Sequence, residues 1–402
     1  MKNLFLSLIG TFKKPQRHTE LDSVSPCFQE IADHVRNDRS VINCFFSSFL
    51  LLLVLFVQVV DVSAQRKTVV SIQGESFYIN DTITFQGKTW RGYSIEGLLP
   101  NSRMVNGIFD DDTDSTRYQW AYPDTKRWDA ERNTREFVDN MPLWRKNGLL
   151  AFTINLQGGS PYGYSSAQPW KNSALDDKGV LKPAYMNRLA IVLDRADELG
   201  MVVILGIFYF GQEKSIENET AVLNGIRNTV AWVLGNGYTN VIIEINNECD
   251  LFKVHDILKA ERVHEAILYA KNININGKRL LVGTSYRGDA IPGSEVVKVS
   301  DFILLHGNGV NNPARIIEMV KQTKQIDGYT PKPILFNEDD HYDFDKPMNN
   351  FVAATSAGAS WGYFDYRRNG EPFEEGYQSV PADWGIRTER KKGFFDLLNQ
   401  WK

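Results

Sequence analysis

Two glutamates carry the residue types and positions that do chemistry. Glu248 closes the run Val241-Ile242-Ile243-Glu244-Ile245-Asn246-Asn247-Glu248, and Glu338 closes Pro333-Ile334-Leu335-Phe336-Asn337-Glu338. Each acid stands where a short apolar run stops, directly after an asparagine. A charge at the end of a strand buried on both faces is costly unless it is paired or used. Two of them suggest a pair of carboxylates facing one cavity. One carboxyl would protonate a leaving oxygen and the other would attack the carbon, the equipment for breaking a glycosidic bond.

The elements that must position them alternate in type. Short apolar runs read as strands at Arg91–Ile95, Leu149–Asn155, Val202–Tyr209, Val241–Ile245, Leu280–Thr284, Phe302–His306, Ile334–Asn337 and Trp361–Asp365. Amphipathic stretches fall between them; the one from Ala184 to Leu199 has Pro183 before it and Gly200 after it, a helix start and stop. Eight such alternations predict an α/β fold, a single (β/α)8 TIM barrel. An open doubly wound sheet is disfavoured, because no glycine-rich phosphate loop follows the first strand. VVSI, SFYI and TITF, between residues 69 and 85, predict a small N-terminal β-hairpin cap. Long connections after the first and last strands would lie on the C-terminal face, where barrel active sites are built. Side chains alternate along a strand, so Glu244, Asn246 and Glu248 are expected on one inward face.

A formal charge of -4 over 402 residues excludes a strongly basic nucleic-acid binder. Phe49–Val60 is almost unbroken apolar sequence, with Arg36 and Arg39 before it and Val62-Ser63-Ala64 after it. This is the pattern of a secretory signal cleaved after Ala64, and an uncut membrane anchor is the alternative. The expected division is 1–64 as N-terminal extension and signal, 65–88 as the hairpin and 89–402 as the barrel. The expected protein is a monomer, secreted or held in the cell envelope. Cys249 alone remains after cleavage, so stability must come from a core.

The run Glu244–Glu248 resembles the fourth-strand motif of clan A glycoside hydrolases, the cellulase and mannanase superfamily, and in particular glycoside hydrolase family 5. Lys332-Pro333-Ile334-Leu335-Phe336-Asn337-Glu338 is similar to the seventh-strand motif of that clan. The resemblance implies Glu248 as acid/base, Glu338 as nucleophile and Asn247 as the ligand of the sugar 2-hydroxyl. It also implies Trp361 as the floor of the sugar site and His306 as a binding residue, with retention of configuration and no cofactor. Burial and the second carboxylate would then raise the pKa of Glu248. The sequence departs from the clan elsewhere. Strand two ends in Ile154-Asn155-Leu156-Gln157 without an arginine, strand three in Phe208-Tyr209 without a histidine, and strand six continues His306-Gly307-Asn308 without a tyrosine. These departures leave a catalytically silent glycan-binding barrel as the alternative, with a metal-dependent hydrolase behind it.

Asn155, Tyr209 and Tyr286 are further subsite candidates, as are Tyr377 and Trp384. Glu338-Asp339-Asp340-His341 concentrates hard ligands, but consecutive strand residues point opposite ways, so no metal site is expected there. Asp110–Asp114 is expected to be a solvated loop, since it lacks the glycine and glutamate of a calcium loop. His255 and His264 read as surface residues. Arg103, Arg117, Arg127, Arg287, Arg367 and Arg368 would suit an acidic glycan, or else pair with nearby acids. The partner is therefore a carbohydrate, neutral or acidic.

Overall fold

The structure, a computed structural model, describes residues 66–402 apart from Ser166. The apolar segment read as a secretory signal or anchor lies outside the described residues. Eight parallel strands form the centre: β1 Asn101–Arg103, β2 Ala151–Asn155, β3 Val202–Phe208, β4 Val241–Asn246, β5 Leu281–Gly283, β6 Ile303–His306, β7 Ile334–Glu338 and β8 Gly362–Phe364. Six of them pair in the order β5-β4-β3-β2-β1-β8, and β6 pairs with β7. Parallel bridges Leu335–Ser360 and Asp339–Tyr363 join β7 to the β8 segment. The Asp301 amide donates to the Val282 carbonyl at 3.0 Å, linking the β5 and β6 segments. The strands thus form one ring, the α/β barrel that the alternation predicts.

Helices follow the strands in turn: α1 Ala130–Lys146, α2 Pro183–Leu199, α3 Glu219–Gly235, α4 Val263–Lys271, α5 Ser294–Val299, α6 Pro313–Lys324, α7 Asn350–Ser356 and α8 Glu389–Asn399. Their ends follow local chemistry. Pro183 opens α2, and Gly200 closes it in the left-handed conformation at φ 67°. Asn218 caps α3 by accepting from the Ala221 amide. Among the described residues no helix is long and apolar enough to cross a membrane.

The first strand is not where the apolar pattern puts it. Thr89–Trp90 and Tyr93–Ser94 form a minute antiparallel hairpin, turned by Arg91 and Gly92 at φ 51° and 82°. Two positive φ values in a two-residue loop reverse the chain and end that candidate. The true β1, Asn-Ser-Arg, has no apolar residue to mark it.

Leu99, Ala151, Val202, Ile204, Ile242, Leu304 and Leu335 cluster with Phe77 of the N-terminal hairpin. The hairpin is the expected cap: Val70–Gln73 pairs with Ser76–Ile79, and its Val70 amide donates to Thr239. A second, larger cluster joins the helices to the other strand faces. Farther along the same strands, Arg103, Glu244 and His306 are completely buried. An apolar layer thus supports a charged one, a costly arrangement unless the charges pair.

Candidate active site

The ends of β4 and β7 place the two acids by breaking strand alternation. Glu244 lies inside the barrel, 3.9 Å from the Arg103 guanidinium. Asn246 does not continue on that face; its side-chain amide donates to the Leu258 carbonyl at 2.8 Å. Asn247 turns inward instead, and its Oδ1 accepts from Arg103 Nη2 at 2.8 Å. Glu248 then adopts φ 49°, with its amide held by Ser285 Oγ at 3.0 Å. The expectation that Glu244, Asn246 and Glu248 share one inward face therefore fails at Asn246, while Glu248 still reaches the cavity by way of a left-handed residue that re-aims the chain. A similar break occurs in β7. Leu305 pairs with Phe336 but His306 pairs with Glu338, an irregularity that skips Asn337. Asn337 reaches toward Glu244 at 3.5 Å, and Glu338 follows it into the cavity. Bulges that re-aim side chains recur beside active sites, and a non-glycine residue at positive φ costs about 1–3 kcal/mol.

Four groups surround the acids. His306 Nδ1 lies 3.0 Å from Glu248 Oε1 and 3.6 Å from Glu338 Oε2. Arg103 Nε lies 2.6 Å from Glu338 Oε2, a close ion pair. Asn308 donates to Glu338 Oε1 at 2.7 Å and to the Tyr164 hydroxyl at 2.6 Å. Tyr164 in turn donates to Asp340 at 3.0 Å. One ligand atom from each of Glu248, His306 and Glu338 lies within 4.8 Å of the others. A cation there would have to displace the Arg103 contact, so the cluster suits a proton better than a metal.

Burial pushes Glu248 upward, but the hydrogen bond and charge of His306 outweigh it and hold this carboxyl below its ordinary value. Burial also pushes Glu338 upward, and here it outweighs the pull of Arg103 and His306. Burial works against the charge on His306; Glu338 and Glu248 more than offset it and raise its pKa. The site thus reverses the order expected from sequence, in which Glu248 is the raised carboxyl. The reason is the imidazole contact, which strand positions do not disclose. Two carboxyls sharing one imidazole titrate as a unit.

Both glutamates line a cavity of about 650 Å³, together with Tyr209 and Phe364. Of the other expected binding residues, His306 joins the pair directly. Asn247 commits its Oδ1 to Arg103. Asn155 is buried inside the barrel with neither amide atom partnered, and it does not line the cavity. Trp361 does not floor the site. It is completely buried, its indole N–H donates to Asp339 at 2.9 Å, and its ring packs against Phe344, Phe351 and Phe394. It precedes β8 on the outward side, and Phe364 reaches the cavity in its place. Tyr286 lies behind the site, beside Cys249 and Gly293. Tyr377 and Trp384 stack on each other in the core at 6.1 Å.

Other expectations change as well. Ligand atoms of Asp339, Asp340 and His341 gather within 4.8 Å of one another, because these residues leave the strand and alternation no longer separates them. Asp339 is already engaged by His341, Asn350 and Trp361. Asp111 is buried rather than solvated and accepts from Trp120 and Thr116. His255 is buried against the Glu213 and Ile216 carbonyls. Arg103 pairs with Glu338 and lies near Glu244, Arg117 donates to the Asp111 carbonyl, and Arg367 donates to the Phe373 and Pro381 carbonyls. These three are not free to bind an acidic glycan.

Arg103 also answers the missing arginine of strand two, since β1 supplies the cation. Asn308, with Tyr164 behind it, stands where a strand-six tyrosine is absent. Sequence reading places Arg103 only among mouth-facing cations and passes over Tyr164; a charged residue flanking a run of long loop was the available signal.

No family model and no curated protein sequence matches the chain. Solved structures do match in fold. One is a proposed glycoside hydrolase from Bacteroides vulgatus ATCC 8482, with TM-score 0.51 and 13% identity, covering 83% of this chain and 61% of that one. The chain thus spans less than two thirds of that protein's length. Another is a GH5-4 broad specificity endoglucanase from Bacteroides salanitronis, with TM-score 0.51 and 11% identity, covering 76% of this chain and 93% of that one. At such identities the likeness establishes the barrel fold.

Proposed function

We propose that the protein is a retaining glycoside hydrolase acting on β-linked sugars, with Glu338 as nucleophile and Glu248 as acid/base. The observation that carries this reading is the approach of the two carboxylates, whose nearest oxygens lie within 4.8 Å across His306. Retaining enzymes hold their carboxyls about 5–5.5 Å apart, whereas inverting ones leave about 6.5–9.5 Å for a water. The assignment of roles rests on the partners. Glu338 faces Arg103, which stays charged at every working pH, and accepts from Asn308. Glu248 faces His306, an imidazole that can exist with or without its charge. A permanent cation suits the group that must attack as an anion, and a titratable partner suits the group that must cycle.

In the first half-reaction Glu338 bonds to the anomeric carbon as the glycosidic C–O bond breaks, and Glu248 gives its proton to the departing oxygen. In the second, water adds to that carbon, Glu248 takes the water's proton and Glu338 departs as carboxylate. The proton that burial favours on Glu338 reaches Glu248 by way of His306, which contacts both. Asn247, with its Oδ1 held by Arg103, presents its amide hydrogens to the sugar 2-hydroxyl. The partners of the two acids favour catalysis over a silent binding barrel, since Arg103 and Asn308 supply two of the three groups that the sequence pattern lacks.

The test is chemical rescue across a panel of activated β-glycosides. Glu338→Gly should lose hydrolysis and, with azide, release an α-glycosyl azide; Glu248→Ala should release the β-azide. Full activity in Glu338→Gln would falsify the assignment. We further propose export, with the mature chain beginning at Gln65, from the apolar segment and Val62-Ser63-Ala64.

A further inference from the structure

Much of the cavity wall beside Glu248 is apolar. Phe210, Leu251, Phe252 and Val254 form it, from the segments that follow β3 and β4. Phe252 is 90% exposed and Val254 62% exposed, although both follow within six residues of a buried glutamate. Such side chains ordinarily turn inward; here they stand in solvent along the path out of the cavity. Tyr209 and Phe210 stack at 4.5 Å and continue that surface toward the two acids. Some polar groups of this wall are engaged by the protein itself, while Lys214 is exposed and Glu213 Oε2 has no protein partner. Lys253 Nζ donates to the Asn247 carbonyl at 3.0 Å, and burial lowers its pKa to about 8. Glu213 Oε1 accepts from the Val254 amide.

An acid that protonates the leaving oxygen must lie on the leaving-group side of the bond. The apolar wall therefore borders the aglycone, and the opposite side, with Glu338, holds the sugar. Taking the glycosidase reading above as its basis, we infer that the substrate is an amphiphilic glycoside whose aglycone is a hydrocarbon chain, lying along Phe210, Leu251, Phe252 and Val254. A second sugar would meet side chains that return no hydrogen bonds, whereas an alkyl chain would take apolar surface out of water. An extended chain matches an open, one-sided wall that runs from the acids to solvent, and Lys253 beneath it would sit near the polar head of the departing group.

The experiment compares kcat/KM for methyl and octyl β-glycosides of glucose, galactose, mannose and xylose, below the micelle threshold, with cellohexaose and mannohexaose alongside. Each buried methylene raises kcat/KM about fourfold, so burying half of the octyl chain gives a preference on the order of 50-fold over methyl. The octyl glycosides should also outrun the hexasaccharides. Phe252→Ser and Val254→Ser, at exposed positions where folding is not at stake, should each cut the octyl-over-methyl ratio by about threefold or more. In parallel, an activated 2-fluoro glycoside of each sugar reports covalent labelling of Glu338 whatever the natural aglycone. Labelling with an octyl-over-methyl ratio near one overturns the hydrocarbon inference and leaves the glycosidase reading standing. A large ratio that neither variant changes also overturns it, since the chain would then lie elsewhere. No labelling and no hydrolysis of any glycoside overturns both.

Discussion

Replacing Arg103 by methionine tests whether a cation from β1 keeps Glu338 reactive. Arg103 is completely buried, lies 2.6 Å from Glu338 and 3.9 Å from Glu244, and donates to Asn247. Methionine fills a similar space without charge. Two unit charges about 4 Å apart attract by roughly 4 kcal/mol at an effective dielectric near 20. Losing that attraction lowers the charged fraction of Glu338 about 10³-fold wherever the group is titrating, at about 1.4 kcal/mol per factor of ten. The sign follows directly: a neighbouring cation favours the carboxylate, so its removal favours the acid. Folding should suffer by about 3 kcal/mol, the low end for breaking a buried pair. The assay is the pH dependence of kcat/KM on a dinitrophenyl β-glycoside, whose leaving group needs no protonation, so only the ionisation of the nucleophile limits the rate. The acidic limb should move to higher pH, with most of the loss recovered on the alkaline side. Arg103→Lys keeps the charge but loses the fork to Asn247, so its limb should move little while its plateau falls. A uniform loss at all pH values in Arg103→Met, with the limb unmoved in a folded protein, would refute the electrostatic reasoning.

His306→Gln removes the imidazole that holds Glu248 low, so on substrates that need acid assistance the alkaline limb should move to higher pH; an unmoved limb counts against the Glu248 role. Because the folded pKa of His306 is raised, its charge stabilises the fold fully below about 6.5 and the benefit fades as pH rises through the folded value. The Tm gap between wild type and His306→Gln should therefore narrow as pH rises above that point. Tyr164→Phe breaks the bond that steadies Asn308 and should lower kcat about fivefold, near 1 kcal/mol, with little change in Tm. A double-mutant cycle with Asn308→Ala should show non-additivity, and strict additivity would separate the two residues. Trp361→Ala should cost about 3–5 kcal/mol of stability, read as a fall in Tm, while a KM defect without a stability loss would restore it to the sugar site.

The barrel was legible because its signals are local. Apolar runs mark seven of the eight strands, and Pro183 and Gly200 bound a helix without reference to anything distant. The eighth failed for a physical reason: Asn101-Ser102-Arg103 is a strand whose burial is satisfied by charge and hydrogen bonds, so no hydrophobic pattern advertises it. The misplaced site residues have a related cause. Trp361 was assigned by its neighbourhood on β8, but one step in a strand exchanges the two faces. Conversely, Asn247 and Glu248 both enter the site because the backbone abandons alternation, which depends on Glu248 accepting a left-handed conformation that Ser285 supports.

The two carboxylates, the strands that end in them and the alternation that makes a barrel are properties of the sequence by itself, because residue type and periodicity are local. Which groups hold those carboxylates is a property of closure. Arg103 is 235 residues from Glu338 and 144 from Asn247, and His306 is 58 from Glu248. Such pairings exist only when eight strand ends converge on one axis, and the protonation of the pair is set there by burial and by an imidazole between them.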